Sequence, residues 1–271
     1  MPLAPKVFDP DLRRLRLDRA ASGFTAADFL HRRAAADVVE RLEAIMRRFP
    51  RAVDLAARRG AFADALAVSD ARRRVETLVE METSPAMLAG RRGCFVLGDA
   101  EALPFAPASL DLIVSVLALH WTNDVVGALV QARRALKPDG LFLAAFLGGA
   151  TLHELRGSLL AAEAEITGGA AQRVSPFADP ADAPSLLQRA GFVMPVADMD
   201  RVTVRYPDPL ALLADLRRMG ETAAFADRAP KLRRAVLARA RELYIEQFAE
   251  ADGRVPATFE ILTLTGWAAA K

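Results

Sequence analysis

Ala52-Val53-Asp54-Leu55-Ala56-Ala57-Arg58-Arg59-Gly60 is a short apolar strand that runs into a turn and, past Gly60, into a helix reaching about Val68. Asp54 stands near the carboxyl end of the strand, the edge at which open α/β sheets bind their ligands. A strand-to-helix turn that lies against a ligand ordinarily needs glycines, because the backbone bends sharply and a Cβ would intrude. Here only Gly60 offers that freedom, and Ala56, Ala57 and Arg58 occupy the positions before it.

Outward from this turn the chain alternates. Val38, Val39, Leu42, Ile45 and Met46 fall at helical spacing ahead of the first strand. Glu76–Glu82 reads as a second strand, with Ser84 and Pro85 supplying the N-cap and first turn of the next helix. Cys94–Leu97 is a third strand, with Cys94 expected in the core. Leu110–Leu117 is a nearly continuous apolar run, the pattern of a strand buried on both faces. A helix over 124–136 is stopped by Lys137-Pro138-Asp139-Gly140, and Leu141–Leu147 is another buried strand. This order predicts an α/β fold with a doubly wound, mostly parallel sheet. After Gly148-Gly149 the spacing predicts helices over 151–166, 184–190, 209–219 and 230–248, an edge or antiparallel strand over 202–206 and a final strand over 258–265. The organisation expected is one domain over 1–271: N-terminal helices to 48, a core over 49–150, a helical cap over 151–256, and a last strand over 257–271.

Bulk properties exclude several classes. In 271 residues no window approaches 18 uncharged apolar residues, so no membrane span is expected. A net charge of +2 gives no ground for a nucleic-acid partner. The single cysteine rules out an internal disulfide and a cysteine-built metal site, and no metal is expected. The first 21 residues mix Asp9, Asp11 and Asp18 with arginines and lack an apolar core, which reads as neither a secretory nor a transit leader and points to a cytoplasm. The run Arg13-Arg14-Leu15-Arg16 reads as a solvated helix face.

Three strand ends carry carboxylates in the order a nucleoside cofactor needs. Asp54 would orient the turn, Glu82 would accept both ribose hydroxyls, and Asp99, with the backbone amide of Ala100, would take an adenine edge. His120 and Trp121, just past the buried fourth strand, are the candidate catalytic residues: His120 to position or deprotonate a substrate, Trp121 to wall the pocket. His153 and Glu154 read as an exposed helix-start pair.

Glu82-Thr-Ser-Pro-Ala-Met-Leu88, Gly98-Asp-Ala-Glu-Ala-Leu-Pro-Phe105, Asp111-Leu-Ile-Val-Ser115 and Leu136-Lys-Pro-Asp-Gly140 resemble successive motifs of class I, Rossmann-like methyltransferases that use S-adenosyl-L-methionine (SAM). Leu117-Ala-Leu-His-Trp121-Thr-Asn-Asp124, Gly148-Gly-Ala-Thr-Leu-His-Glu-Leu-Arg156, Ser175-Pro-Phe177, Arg189-Ala-Gly-Phe192, Asp215-Leu-Arg-Arg-Met-Gly-Glu221 and Gly253-Arg-Val-Pro-Ala-Thr258 narrow the resemblance to the family of mitochondrial complex I assembly factor 5. It covers nearly the whole chain. It implies a SAM or S-adenosylhomocysteine site at Asp54, Ala56, Arg58, Gly60, Glu82, Thr83, Asp99, Ala100 and Leu117, and a bacterial source. It also implies a protein substrate, an iron–sulfur subunit of respiratory complex I, with arginine hydroxylation as the activity; relatives in the biotin pathway methylate a malonyl thioester on a carrier protein.

The turn departs from that family's pattern, Asp-Leu-Gly-Cys-Gly-Arg-Gly, at Ala56, Ala57 and Arg58. Two readings stand. Arg58 turns aside, or pairs with a cofactor carboxylate, and the cofactor still binds; or the cofactor has been lost and the protein is a non-catalytic scaffold, a pseudoenzyme.

Overall fold

The strands sort their side chains with period two onto the two faces of a single sheet. Ala52, Leu112, Val114, Leu141 and Leu143 face one layer of helices, while Val53, Ile113, Phe142 and Ala144 face the other. The computed structural model describes residues 6–227 and 229–270. Residues 1–5 of the N-terminal segment and Lys271 of the last one lie outside the described residues.

In chain order the elements are α1 (Pro10–Ala20), α2 (Phe29–Glu43), β1 (Phe49–Leu55), α3 (Ala61–Ala67), β2 (Val75–Glu82), α4 (Pro85–Leu88), β3 (Cys94–Leu97), β4 (Leu110–Val116), α5 (Val125–Ala135), β5 (Leu136–Gly148), α6 (His153–Thr167), α7 (Ala183–Arg189), β6 (Val193–Tyr206), α8 (Pro209–Arg218), α9 (Arg234–Phe248) and β7 (Val255–Trp267). The seven strands hydrogen-bond in the order β3-β2-β1-β4-β5-β7-β6. The pairs from β3 to β5 are parallel, and β7 runs antiparallel to both its neighbours. This is the doubly wound, mostly parallel sheet that the alternation predicts. The strand order reverses between β1 and β4, which places the ligand crevice beyond the carboxyl ends of those strands.

Leu30, Val38 and Leu42 of α2, Phe62 of α3, Leu155 of α6, Leu216 of α8 and Tyr244 of α9 cover one face; Leu129 of α5 and Leu187 of α7 cover the other. Helix starts follow the expected chemistry. Ser84 Oγ accepts from Met87 N at 3.2 Å with Pro85 in the first turn, and Asp124 accepts from Gly127 N at 2.8 Å. Among the described residues no helix is long and apolar enough to cross a membrane.

Several local expectations need correction. Lys137–Gly140 ends α5 but also lies within β5, looped out between the pairs Leu110–Leu136 and Leu112–Leu141 with Asp139 at φ +57°. The short strand expected at 202–206 begins at Val193 and forms the sheet edge. Cys94 is exposed, because β3 is the opposite edge strand and has a neighbour on one side only. Glu154 is buried, and its carboxylate binds Thr258 Oγ1 at 2.5 Å and Thr258 N at 3.2 Å, pinning α6 to β7; its neighbour His153 stays exposed.

Candidate functional site

At the carboxyl edge of β1 the turn is held by the sheet itself. Ala57 N donates to Met81 O at 2.9 Å and Gly60 N to Ala57 O at 2.8 Å. Ala56 and Arg58 adopt φ +60° and +55°, the left-handed region where glycine is the default residue. The backbone therefore follows the path of a glycine turn without the glycines. Gly60, at φ +76°, keeps glycine in that region, and a Cβ there would also have to push aside the end of the flexible Arg91 side chain.

Arg58 folds inward. Its Nη1 lies 3.0 Å from Glu82 Oε2 and 3.3 Å from Oε1, and its backbone N–H donates to Oε2 at 2.8 Å. Thr83 N, Thr83 Oγ1 and Ser84 N donate to Oε1 at 2.8, 3.0 and 3.3 Å. Both oxygens of the expected ribose acceptor are thus in use, and Glu82 is fully buried. Burial alone would raise its pKa, but the Arg58 charge and these N–H donors outweigh it and hold the carboxyl below its ordinary range. Asp54 is the opposite case. Burial, then the carboxylates of Glu80 and Glu82, push its pKa well above the ordinary carboxylate range, and its Oδ1 has no partner among the described residues.

A cavity of about 70 Å³ opens at this edge, lined by Ala56, Arg58, Met81, Thr83 and Gly98–Glu101 on one side and by Phe8, Arg13, Leu17, Ala118, Trp121 and Asn123 on the other. Of the sequence candidates, Ala56, Arg58, Thr83, Asp99, Ala100 and Trp121 meet here. Asp54, Gly60, Glu82, Leu117 and His120 do not line it. Asp99 lines the cavity; its Oδ1 accepts from Glu101 N at 2.9 Å, and its Oδ2 has no partner among the described residues. Leu117 is a buried residue at φ +50°, and its neighbour Ala118 faces the cavity instead.

His120 lies behind the wall. Its Nδ1 accepts from Leu147 N at 3.4 Å, which leaves the proton on Nε2, directed at Glu221 Oε2 2.9 Å away. Both nitrogens are committed, and burial lowers the pKa despite Glu221, so the ring is neutral at physiological pH. Trp121 Nε1 donates to the same oxygen at 2.7 Å, and Arg13 Nη2 donates to Oε1 at 2.9 Å. The Arg13 guanidinium also stacks 4.1 Å above the Trp121 ring. Burial opposes the Glu221 charge, but Arg13 and His120 prevail and keep its pKa well below the carboxylate range. Burial pulls Arg13 down to about 10, so it stays charged.

Sequence reasoning missed this cluster. Arg13, expected on a solvated face, is only 7% exposed. The available signal was Leu17 one turn on and the aromatic Phe8 just before the helix. Phe8 packs edge-on against Trp121 at 5.0 Å, and Asp18 accepts from Ser84 Oγ at 2.6 Å. Helix α1 is therefore strapped across the crevice at both ends.

A nucleoside cofactor does not fit this site as it stands. The ribose acceptor is covered by Arg58, and about 70 Å³ falls far short of the roughly 300 Å³ at the low end of ligand pockets. On the far side of Trp121 lies a second, mostly apolar chamber of about 280 Å³, bordered by Leu147, Leu155, Leu159, Phe177, Leu216 and Glu221. Among the described residues no group of three or more His, Cys, Asp or Glu is placed to hold a metal ion.

Residues 53–144 match the methyltransferase domain family. The chain is 38% identical over 268 residues to the mitochondrial arginine-hydroxylase NDUFAF5 of Danio rerio, covering 96% of this chain and 82% of that one. It is 33% identical over 273 residues to a malonyl-[acyl-carrier protein] O-methyltransferase of Gallionella capsiferriformans, covering 96% and 91%. A putative methyltransferase structure from Bacillus halodurans superimposes with a TM-score of 0.58 at 18% identity, covering 87% of this chain and 99% of that one, which shows the fold. The expectation of a bacterial cytoplasmic protein is overturned, because the NDUFAF5 relatives are mitochondrial proteins of eukaryotes. The first residues of a sequence could not decide the compartment, since a sequence can begin inside a longer protein. With the sheet order, the domain match and the near full-length likeness in agreement, the chain belongs to the family of the arginine-hydroxylase NDUFAF5, on a class I methyltransferase fold.

Proposed function

We propose that this protein acts on a polypeptide during assembly of respiratory complex I, with an arginine of an iron–sulfur subunit as its target. The observation that carries this reading is the reach of the family relationship. The methyltransferase domain match ends at residue 144, whereas the likeness to the arginine hydroxylase extends through the cap, the part that would select a partner, at 38% identity against 33% for the O-methyltransferase that spans the same length. The crevice chemistry agrees with a guanidinium ligand. Its rim presents the free oxygen of Asp99 and the aromatic faces of Phe8 and Trp121, and its walls already hold two guanidinium groups, Arg58 on Glu82 and Arg13 against Glu221 and Trp121.

The test is deletion of the gene in its host, followed by purification of complex I and mass spectrometry of its arginine-containing peptides. An arginine bearing one added oxygen in the parent and not in the deletion strain is expected, together with impaired assembly. Unchanged assembly and unchanged arginine masses would overturn the reading.

A second reading, methylation of a carrier-bound acyl group, is favoured by one observation. The apolar chamber behind Trp121 suits an aliphatic chain better than a guanidinium. Turnover of SAM with an acyl-carrier substrate in vitro would support it.

A further inference from the structure

The chamber behind Trp121 has a polar pattern of its own. Its body is aliphatic, with Leu147 from β5, Leu155 and Leu159 from α6, and Leu213 and Leu216 from α8. Three charged side chains reach its wall, and two of them are already neutralised. Glu221 is committed to Arg13, His120 and Trp121. Arg173 gives Nε and Nη2 to Glu163 and Nη1 to Pro230 O. The third, Arg217, is exposed and has no counter-charge among the described residues. Leu232 shares that rim, flanked in the chain by Lys231 and Arg233, which are exposed and equally unpaired among the described residues. Two wall hydroxyls, Thr222 and the 6% exposed Ser175, also have no partner among the described residues. The uncommitted polar side chains on the wall can all donate a hydrogen bond, and the uncommitted charge is positive.

We propose that this chamber is a binding site for a medium-chain aliphatic carboxylate, its chain among the leucines and its head group at the rim beside Arg217. The site goes beyond both functional readings, since it requires neither an arginine nor a carrier protein. A carboxylate only accepts hydrogen bonds, which matches a wall of unused donors; a guanidinium or ammonium ligand would find no free acceptor side chain and a like charge. The volume sets the chain. An apolar cavity of about 150 Å³ takes one benzene ring, so this one has room for a single chain of roughly ten carbons. At about 280 Å³ it is too small for the two chains of a phospholipid. Trp121 lines both the chamber and the crevice, so the occupant lies against the partition between them.

The experiment titrates hexanoate, octanoate, decanoate and octanol calorimetrically into the native protein, each below its micelle concentration. Affinity is expected to rise about fourfold per added methylene as far as decanoate, as burial of the chain requires. Octanoate is expected to bind more tightly than octanol, and Arg217→Glu to weaken octanoate roughly tenfold while octanol, which has no charge, changes little. Leu237→Trp fills the chamber from a half-buried position and is expected to abolish binding of both, with circular dichroism to confirm the fold. Leu213→Phe, also half-buried on the wall, is the second variant should the tryptophan protein not fold. An affinity independent of chain length, octanol binding as tightly as octanoate, binding that survives in a folded chamber-filling variant, or no binding at all would each overturn the proposal. None of these outcomes bears on the complex I experiment, which stands or fails on the arginine masses alone.

Discussion

Replacing Glu82 by Gln keeps the shape of the side chain and removes its charge, so the Arg58 guanidinium is left buried without a counter-ion. Breaking a buried pair from one side costs about 3–5 kcal/mol. The upper part of that range applies, because the pair is almost wholly shielded: the two side chains are 4% and 0% exposed. Removing the other partner is not symmetrical. Arg58→Gly strands Glu82 with four donors still in place, namely the N–H of residue 58, Thr83 N, Thr83 Oγ1 and Ser84 N. It also relieves the left-handed backbone at φ +55°, worth about 1–2 kcal/mol. The net cost expected for Arg58→Gly is therefore only about 1–2 kcal/mol.

The double variant Arg58→Gly/Glu82→Gln should be more stable than Glu82→Gln alone, since it removes the stranded cation, with a coupling of about 2–3 kcal/mol. Urea unfolding of the four proteins, followed by circular dichroism at constant m, measures the cycle. A loss below about 1 kcal/mol for Glu82→Gln, or a double variant no better than that single, would refute the claim that this pair is closed off from water.

Three further outcomes follow from the same structure. Ala56→Gly should raise stability by about 1 kcal/mol, because it removes a Cβ from φ +60°; an unchanged or lower urea midpoint would contradict the strain argument. Glu221→Ala should cost about 3–5 kcal/mol, since it strands Arg13, His120 and Trp121 together, and Arg13→Met should cost clearly less; equal losses in thermal melts would show that the network is not centred on the glutamate. His31 is 1% exposed with neither ring nitrogen partnered among the described residues, and burial drives its pKa down to about 3. Its folded value lies below the unfolded one, so the unfolded chain takes up the proton first and stability falls as pH drops below about 6.5, by roughly 1.4 kcal/mol per unit toward pH 3. His31→Leu should flatten that part of the stability–pH curve relative to the native protein, and parallel curves would refute the assignment.

Much of the architecture was legible because it rests on local pattern. Leu110–Val116, nearly all apolar, and Leu141–Leu147, apolar throughout, announce a doubly covered parallel sheet, and Ser84-Pro85 and Asp124 mark helix starts through their own hydrogen bonds. The strand-end acids were legible as positions but not as chemical states. Nothing in the stretch from Val53 to Leu55 says that Asp54 ends in a closed environment beside Glu80 and Glu82 that pushes its pKa well up, while Glu82, at the end of the neighbouring strand, is held below its ordinary range. Arg13, Glu221 and His120 escaped for the same reason. They meet from positions up to 208 residues apart, and an arginine in an arginine-rich helix has no local signature of burial. Cys94 and Glu154 were misplaced because exposure depends on whether a strand lies at a sheet edge and on what packs over a helix start, and neither is written in the residue's neighbours.

The turn after β1 is where local rules and the fold disagree, and the disagreement is informative. Ala56 and Arg58 keep a backbone path that costs about 1–2 kcal/mol each for residues with a Cβ. One could read the retained path as a sign that a ligand still requires it. The hydrogen bonds argue otherwise, because Ala57 N to Met81 O, Gly60 N to Ala57 O and Arg58 N to Glu82 are all made within the chain and would impose the same path on an empty crevice. The path is therefore a property of the sheet edge and is silent about the cofactor. The side chain of Arg58 is not silent: a long arginine placed here merely as filler would send its charge to water, as the exposed arginines of this chain do. Instead it enters the interior, satisfies the one carboxylate a ribose would need, and leaves its own carboxylate-binding edge unused. Arg58 thus stands between the crevice and Glu82, and residue 58, more than the missing glycines, separates this turn chemically from the glycine-rich pattern.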